Sequence, residues 1–347
     1  MDRPTDYPRD ADDPSVSLLA PLFADGRPFL TLGSLALLFS GGFAIFLGLA
    51  GQFLPHDIQY LGMTARDLCA QNACRIVHFM IHDRISFGGT LIALSVLYLW
   101  LIHFPLRARR PWAWWTLLLS NALGFASFLT YLGFGYLDTW HGLATLLLLP
   151  CFALGLALSY RTLDRPRGIT RLFQPTPGSE RQRRPGCLLI GRRLMLATAA
   201  TMFAAGLTIT LVGVTVVFVP QDLQYMDTTA ARLDALNPRL IPLIAHDRAG
   251  FGGGVLNVGF LILACTWRAA PSRHLWQALA VAGTTGFVTA IGVHPLVGYN
   301  NPVHLAPACL GAISYAIALA LTYPRGISAH GSNAHGTSSV GFPPPHE

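Results

Sequence analysis

The sequence predicts an all-α integral membrane protein with eight transmembrane helices. They form two tandem four-helix bundles with pseudo-twofold symmetry along the membrane normal. Three observations carry this reading. Apolar residues make up 52% of the 347 residues and charged residues only 12%, too apolar a balance for a soluble chain of this length. Eight apolar stretches reach the ~20 helical residues needed to cross a hydrocarbon layer of ~30 Å. The chain also repeats itself. Leu54-Pro55-His56-Asp57-Ile58-Gln59-Tyr60 returns as Val219-Pro220-Gln221-Asp222-Leu223-Gln224-Tyr225. His82-Asp83-Arg84 before Gly88-Gly89 returns as His246-Asp247-Arg248 before Gly252-Gly253, an offset of 164 residues (246 − 82).

Taken in order, residues 1–28 are polar and acidic and read as an uncleaved, disordered tail. The first bundle, 29–160, holds spans at 29–53, 76–102, 113–136 and 140–160. A linker follows at 161–193, where Pro166, Pro175, Pro177 and Pro185 oppose continuous helix. The second bundle, 194–323, holds spans at 194–218, 240–266, 275–296 and 303–323, and residues 324–347 form a second disordered tail with His330, His335 and His346. Four crossings per copy leave both copies facing the same way, so their axis runs along the membrane normal.

Apart from histidine, every basic side chain is Arg. Arg107, Arg109 and Arg110, nine arginines in the linker, and Arg268 with Arg273 all fall on one side, while 136–140 and 298–302 have none. The positive-inside rule then puts both termini in the cytoplasm of a cell inner (plasma) membrane. Trp100, Trp112, Trp114, Trp115, Trp267 and Trp276 fall at the same inner interface. The formal charge of +7 is therefore a topology signal, and nucleic acid is not an expected partner. Cys151, Cys187, Cys265 and Cys309 read as small hydrophobes. Cys69 and Cys74 share the first outer loop, as a disulfide or as two free thiols.

The chemistry concentrates in histidines. His82 and His246 lie several residues into the second helix of each half, and His141 and His304 open the fourth. All four fall in the outer half of the bilayer, and two parallel helices of one bundle can aim imidazoles at a shared point. Ionisable groups at this depth face a bundle interior, cavity or ligand. Two imidazoles per bundle are what the axial positions of a heme b require. Arg84 and Arg248 would then meet heme propionates, or else pair with Asp83 and Asp247 to stitch helices together. The Gly-Gly pairs admit either a ring or a neighbouring helix. His78 and His294 have no histidine counterpart in the other half and read either as interfacial or as serving an asymmetric task in one half. Asp57, Asp222, Tyr60 and Tyr225 are candidates to cap or catalyse at the site, or simply to build turns over the helix ends.

This constellation resembles heme A synthase and its relatives. The resemblance, over roughly 29–323, implies eight helices in two halves and heme ligation by His82, His141, His246 and His304. It also implies a cysteine pair at Cys69 and Cys74. Two features differ from the family pattern. Asp83 and Asp247 separate His from Arg, and Val77-His78-Phe79-Met80-Ile81 has no carboxylate where the family's catalytic Glu stands. The resemblance thus implies a fold and a ligand set without the methyl-oxidising chemistry. The expected function is heme-dependent redox chemistry, heme modification or electron transfer. As an enzyme the chain would be a heme-dependent oxidoreductase, with a quinone or respiratory-chain redox partner. A transporter or proton-coupled channel, and a cofactor-free structural subunit, are the alternatives.

Overall fold

The computed structural model describes residues 25–135, 139–174 and 186–324. His330, His335 and His346, and the linker prolines Pro175, Pro177 and Pro185, lie outside the described residues, as do most of the two predicted tails. The first half comprises α1 (Arg27–Leu49), α2 (Pro55–Leu61), α3 (Ala65–Asn72), α4 (Arg75–Leu101), α5 (Pro111–Phe128) and α6 (Thr139–Tyr160). After a short α7 (Thr170–Phe173) come α8 (Gly186–Val214), α9 (Pro220–Met226), α10 (Ala230–Leu236), α11 (Leu240–Arg268), α12 (Arg273–Val297) and α13 (Pro302–Thr322). Eight of these helices, α1, α4, α5, α6, α8, α11, α12 and α13, are long and apolar enough to span a membrane.

Local chemistry sets the boundaries. Pro55, Pro111, Pro220 and Pro302 each open a helix, where the missing N–H costs nothing. Asp57 accepts the Leu54 backbone N–H at 3.1 Å and Asp222 the Val219 N–H at 2.9 Å, so the repeated Pro-x-Asp is a helix start. Thr64 and Thr229 accept backbone N–H groups at the start of α3 and α10. The duplicated outer-loop sequence therefore folds twice into a pair of short helices. Cys69 and Cys74 are joined in a disulfide across the end of α3.

The helices carrying His-Asp-Arg are the buried ones. Within their most apolar windows α4 and α11 are 72% buried, against 11–28% for the other spans, so they form the axis of the molecule. Outward faces carry Phe39, Leu146, Val303 and Leu310, all apolar and exposed, as lipid-facing positions require. The two central helices touch each other; α4 also packs on α1 and α12, and α11 on α8 and α5. Each central helix thus lies against the third span of the opposite half. The glycine pairs permit both approaches. A Cβ on Gly88 would stand 2.7 Å from the Gly41 carbonyl of α1, and one on Gly252 would stand 2.4 Å from the Thr210 N of α8. Gly89 and Gly253 admit Thr289 of α12 and Ser127 of α5 in the same way. Helix packing accounts for these glycines.

Candidate functional site

The outer-loop helices cap one end of the bundle, opposite the Arg-rich end, and a buried polar network lies under them. Arg84 donates through Nη1 to Asp57 Oδ2 at 2.6 Å and through Nε to Asp247 Oδ2 at 2.8 Å. Arg248 repeats the pattern: it donates to Asp222 and to the Val217 carbonyl, and its Nε stands 3.5 Å from Asp83 Oδ2. Each guanidinium therefore binds the loop aspartate of its own half and the His-Asp-Arg aspartate of the other half. Phe53 lies 5.6 Å beneath Arg84 and Phe79 4.9 Å beneath Arg248, adding cation–π contacts. Four carboxylates face two guanidiniums, an excess of two negative charges (2 − 4 = −2) when His82 and His246 are neutral, in a largely buried setting.

The imidazoles meet on either side of this network, and the pairing differs from the expected one. His82 was expected to converge with His141, and His246 with His304. Instead the ring centroids of His82 and His304 are 5.8 Å apart, and those of His141 and His246 are 4.9 Å apart. The exchange goes with the packing: α4 lies against α12, the span that leads into α13, and α11 lies against α5, the span that precedes α6.

Around His82 the cluster gains two members. His294, one of the two histidines without a counterpart in the repeat, is buried with its Nε2 at 3.1 Å from His82 Nε2, an asymmetric arrangement and not an interfacial one. Tyr299, in the turn before α13, is fully buried and stacks on the His304 ring at 4.6 Å. One available atom from each of His82, His294 and His304 lies within 4.8 Å of the others. On the opposite side His56, unmatched in the repeat by Gln221, brings its ring to 5.8 Å from that of His141.

The partners fix the tautomers. His82 Nδ1 lies 2.9 Å from the acceptor-only carboxylate of Asp83, so that nitrogen carries a hydrogen. His294 Nδ1 donates to the Tyr299 carbonyl at 2.6 Å. The Tyr299 hydroxyl donates to Asp222 Oδ1 at 2.8 Å, which leaves its oxygen to accept from His304 Nδ1 at 3.4 Å. His82 and His294 are thus held through Nδ1, leaving each of these Nε2 lone pairs available when the ring is neutral. Two lone pairs face each other at 3.1 Å between His82 and His294, a repulsive contact that a shared proton or a cation relieves. Burial and the neighbouring Asp222 push the Tyr299 phenol well above its ordinary pKa, so it stays a neutral donor.

The remaining candidates lie close by. Asp57 and Asp222 are buried in the network, each anchoring its arginine and its own helix start. Tyr60 donates to the Phe134 carbonyl at 3.4 Å and Tyr225 to the Val297 carbonyl at 2.6 Å. Tyr225 also stacks on Tyr299 at 4.5 Å. These tyrosines pin the cap onto the bundle, and burial raises the pKa of both, Tyr225 to about 12.

A heme between His82 and His304 needs an open plane between opposed nitrogens, with each metal–nitrogen bond about 2 Å long. His294 occupies that approach, so the cluster as packed suits a small ion and does not admit the macrocycle. No protein-family model matches the chain, and neither a curated protein nor a solved structure matches it.

Proposed function

We propose that this chain is an integral membrane metalloprotein whose His82, His294 and His304 bind one transition-metal ion beneath the loop cap. The observation that carries the reading is the convergence of one nitrogen from each of three imidazoles within 4.8 Å, two of them, His82 and His294, secured through Nδ1 with Nε2 facing inward. That is the arrangement in which outer-shell acceptors orient metal-binding histidines. A tetrahedral ion with bonds of ~2.0–2.1 Å sets its nitrogens about 3.3 Å apart, close to the observed His82–His294 separation. A dication also offsets the surplus negative charge of the four aspartates. Imidazole nitrogens suit zinc, copper, iron and nickel.

Reciprocal packing of α4 on α12 and of α11 on α5 supports two tandem bundles related by a pseudo-twofold axis. The arginine distribution supports an inner-membrane orientation with the cap outside and both termini inside. A second reading keeps the heme b of the heme A synthase resemblance, with redox chemistry and a quinone or respiratory-chain partner. It is favoured by the second imidazole pair, His141 with His246, which joins the two halves as His82 and His304 do. It requires His294 to swing clear of His82.

Metal analysis and an absorption spectrum of the purified protein separate the readings. The expected result is one transition-metal ion per chain, lost in His294→Ala while the folded state persists. A Soret band that survives His294→Ala but not His304→Ala establishes heme instead. Protein with neither metal nor heme after growth in replete medium refutes both and leaves the structural or transport alternative.

A further inference from the structure

The opposite end of the bundle contains a cavity of about 960 Å³, between the α4–α5 connection, the α11–α12 connection and the chain just after α6. This is the size of a small-molecule site. Its wall is basic: among the described residues, Arg107, Arg110, Arg165, Arg171 and Arg268 line it with one carboxylate, Asp164. Arg268, on the last turn of α11, is only 7% exposed, while Arg107, Arg110 and Arg165 reach solvent at the rim. A wall of this sign attracts an anion.

The other wall is apolar and flat. The Trp100 indole N–H donates to His274 Nδ1 at 2.8 Å, and Phe104 stacks on the same imidazole at 4.0 Å. Trp112 leans against Trp100 with ring centroids 6.5 Å apart. The α4 helix runs into a π-turn at Ile102–Leu106, with Pro105 inside it, and this turn supplies part of the wall. Guanidiniums beside aromatic rings at helix ends fit an occupant that is anionic at one end and apolar at the other. Basic pockets between transmembrane helices recognise lipid phosphates in this way, and Arg binds phosphate oxygens in a bidentate fashion.

We propose that this cavity binds the phosphate headgroup of an anionic membrane lipid, with Arg171 and Arg268 as its deepest contacts. The site is separate from the histidine cluster, so either proposal can fail without the other. Native mass spectrometry of the full chain, released from nanodiscs of mixed phosphatidylglycerol and phosphatidylcholine, tests it. The wild-type protein should retain phosphatidylglycerol in preference to phosphatidylcholine. Arg171→Gln with Arg268→Gln should weaken that retention by about 10- to 30-fold, as expected for the loss of two arginines near a lipid surface. Should that pair disturb folding, Arg107→Gln with Arg110→Gln changes exposed side chains and should reduce the preference in the same direction. Equal retention of both lipids by the wild type overturns the proposal, as does an unchanged preference in a folded Arg107/Arg110 variant. Displacement of phosphatidylglycerol by millimolar inorganic phosphate would identify a small-anion site and refute the lipid headgroup as its occupant.

Discussion

Replacing Arg84 by Met is the sharpest test of the buried network. The guanidinium makes two charge-assisted hydrogen bonds, at 2.6 Å to Asp57 and 2.8 Å to Asp247. Its side chain is 16% exposed, and those of its partners 2% and 10%. Met fills most of the volume but leaves two buried carboxylates without their cation. Breaking a buried ion pair by removing one partner costs about 3–5 kcal/mol. The two partners here share one cation, and the slight exposure of Arg84 and Asp247 favours the lower half of that range. At roughly 2 °C per kcal/mol for a chain of this size, the melting temperature in detergent should fall by about 6–8 °C. Adding Asp247→Asn should restore part of the loss, because the most exposed of the stranded charges is then gone. A double-mutant cycle in detergent gives the coupling, expected at about 1–3 kcal/mol. If Arg84→Met melts within about 2 °C of wild type, or if Asp247→Asn adds its own full penalty, the guanidinium does not join the halves as described.

Gly206→Val should destabilise the α8–α11 contact by about 1–3 kcal/mol or more, because even a Cβ there would lie 2.1 Å from the Leu256 N; the readout is thermal unfolding, and wild-type behaviour would contradict the close crossing. Tyr225 has a folded-state pKa raised to about 12, so its contribution is complete below the ordinary tyrosine pKa of ~10 and is lost as pH rises towards 12. Stability measured across that window should therefore decline, with a smaller decline in Tyr225→Phe. Cys69→Ser with Cys74→Ser opens a six-residue loop (74 − 69 + 1) and should cost about 2 kcal/mol on the loop-closure model. Thiol alkylation of the wild type before and after reduction should show two cysteines becoming reactive only on reduction.

Much of this architecture was legible in the sequence because lipid solvation imposes coarse rules on a chain. Span length, apolar runs and the repeated His-Asp-Arg located all eight helices, with differences at the ends. The α8 helix reaches back to Gly186, before the expected 194, and Arg192 in this added stretch donates to the Thr266 and Trp267 carbonyls of α11. The span expected to reach residue 53 ends at Leu49, where the chain turns into the cap. Partner choice was not legible. Spacing along one half says where an imidazole sits on its own helix, but not which helix of the other half it meets. The repeat matches neither His294 nor His56 with a histidine, so symmetry alone gives no role to either. Tyr299 lies in a short turn, two residues before Asn301, which caps α13 by accepting the Val303 and His304 N–H groups, and no motif marks it. Spacing alone makes Asp83 and Asp247 partners for the neighbouring arginines. Each instead serves an imidazole and an arginine at once, one oxygen to each.

The arginine exchange bears on biosynthesis. A ribosome delivers spans to the bilayer in sequence, so Arg84 and Asp83 enter the lipid before Asp247 and Arg248 have been translated. The nascent amino-terminal portion must therefore shelter unmatched charge until its later counterparts emerge. Coexpressed as two separate polypeptides, neither portion should accumulate without the other.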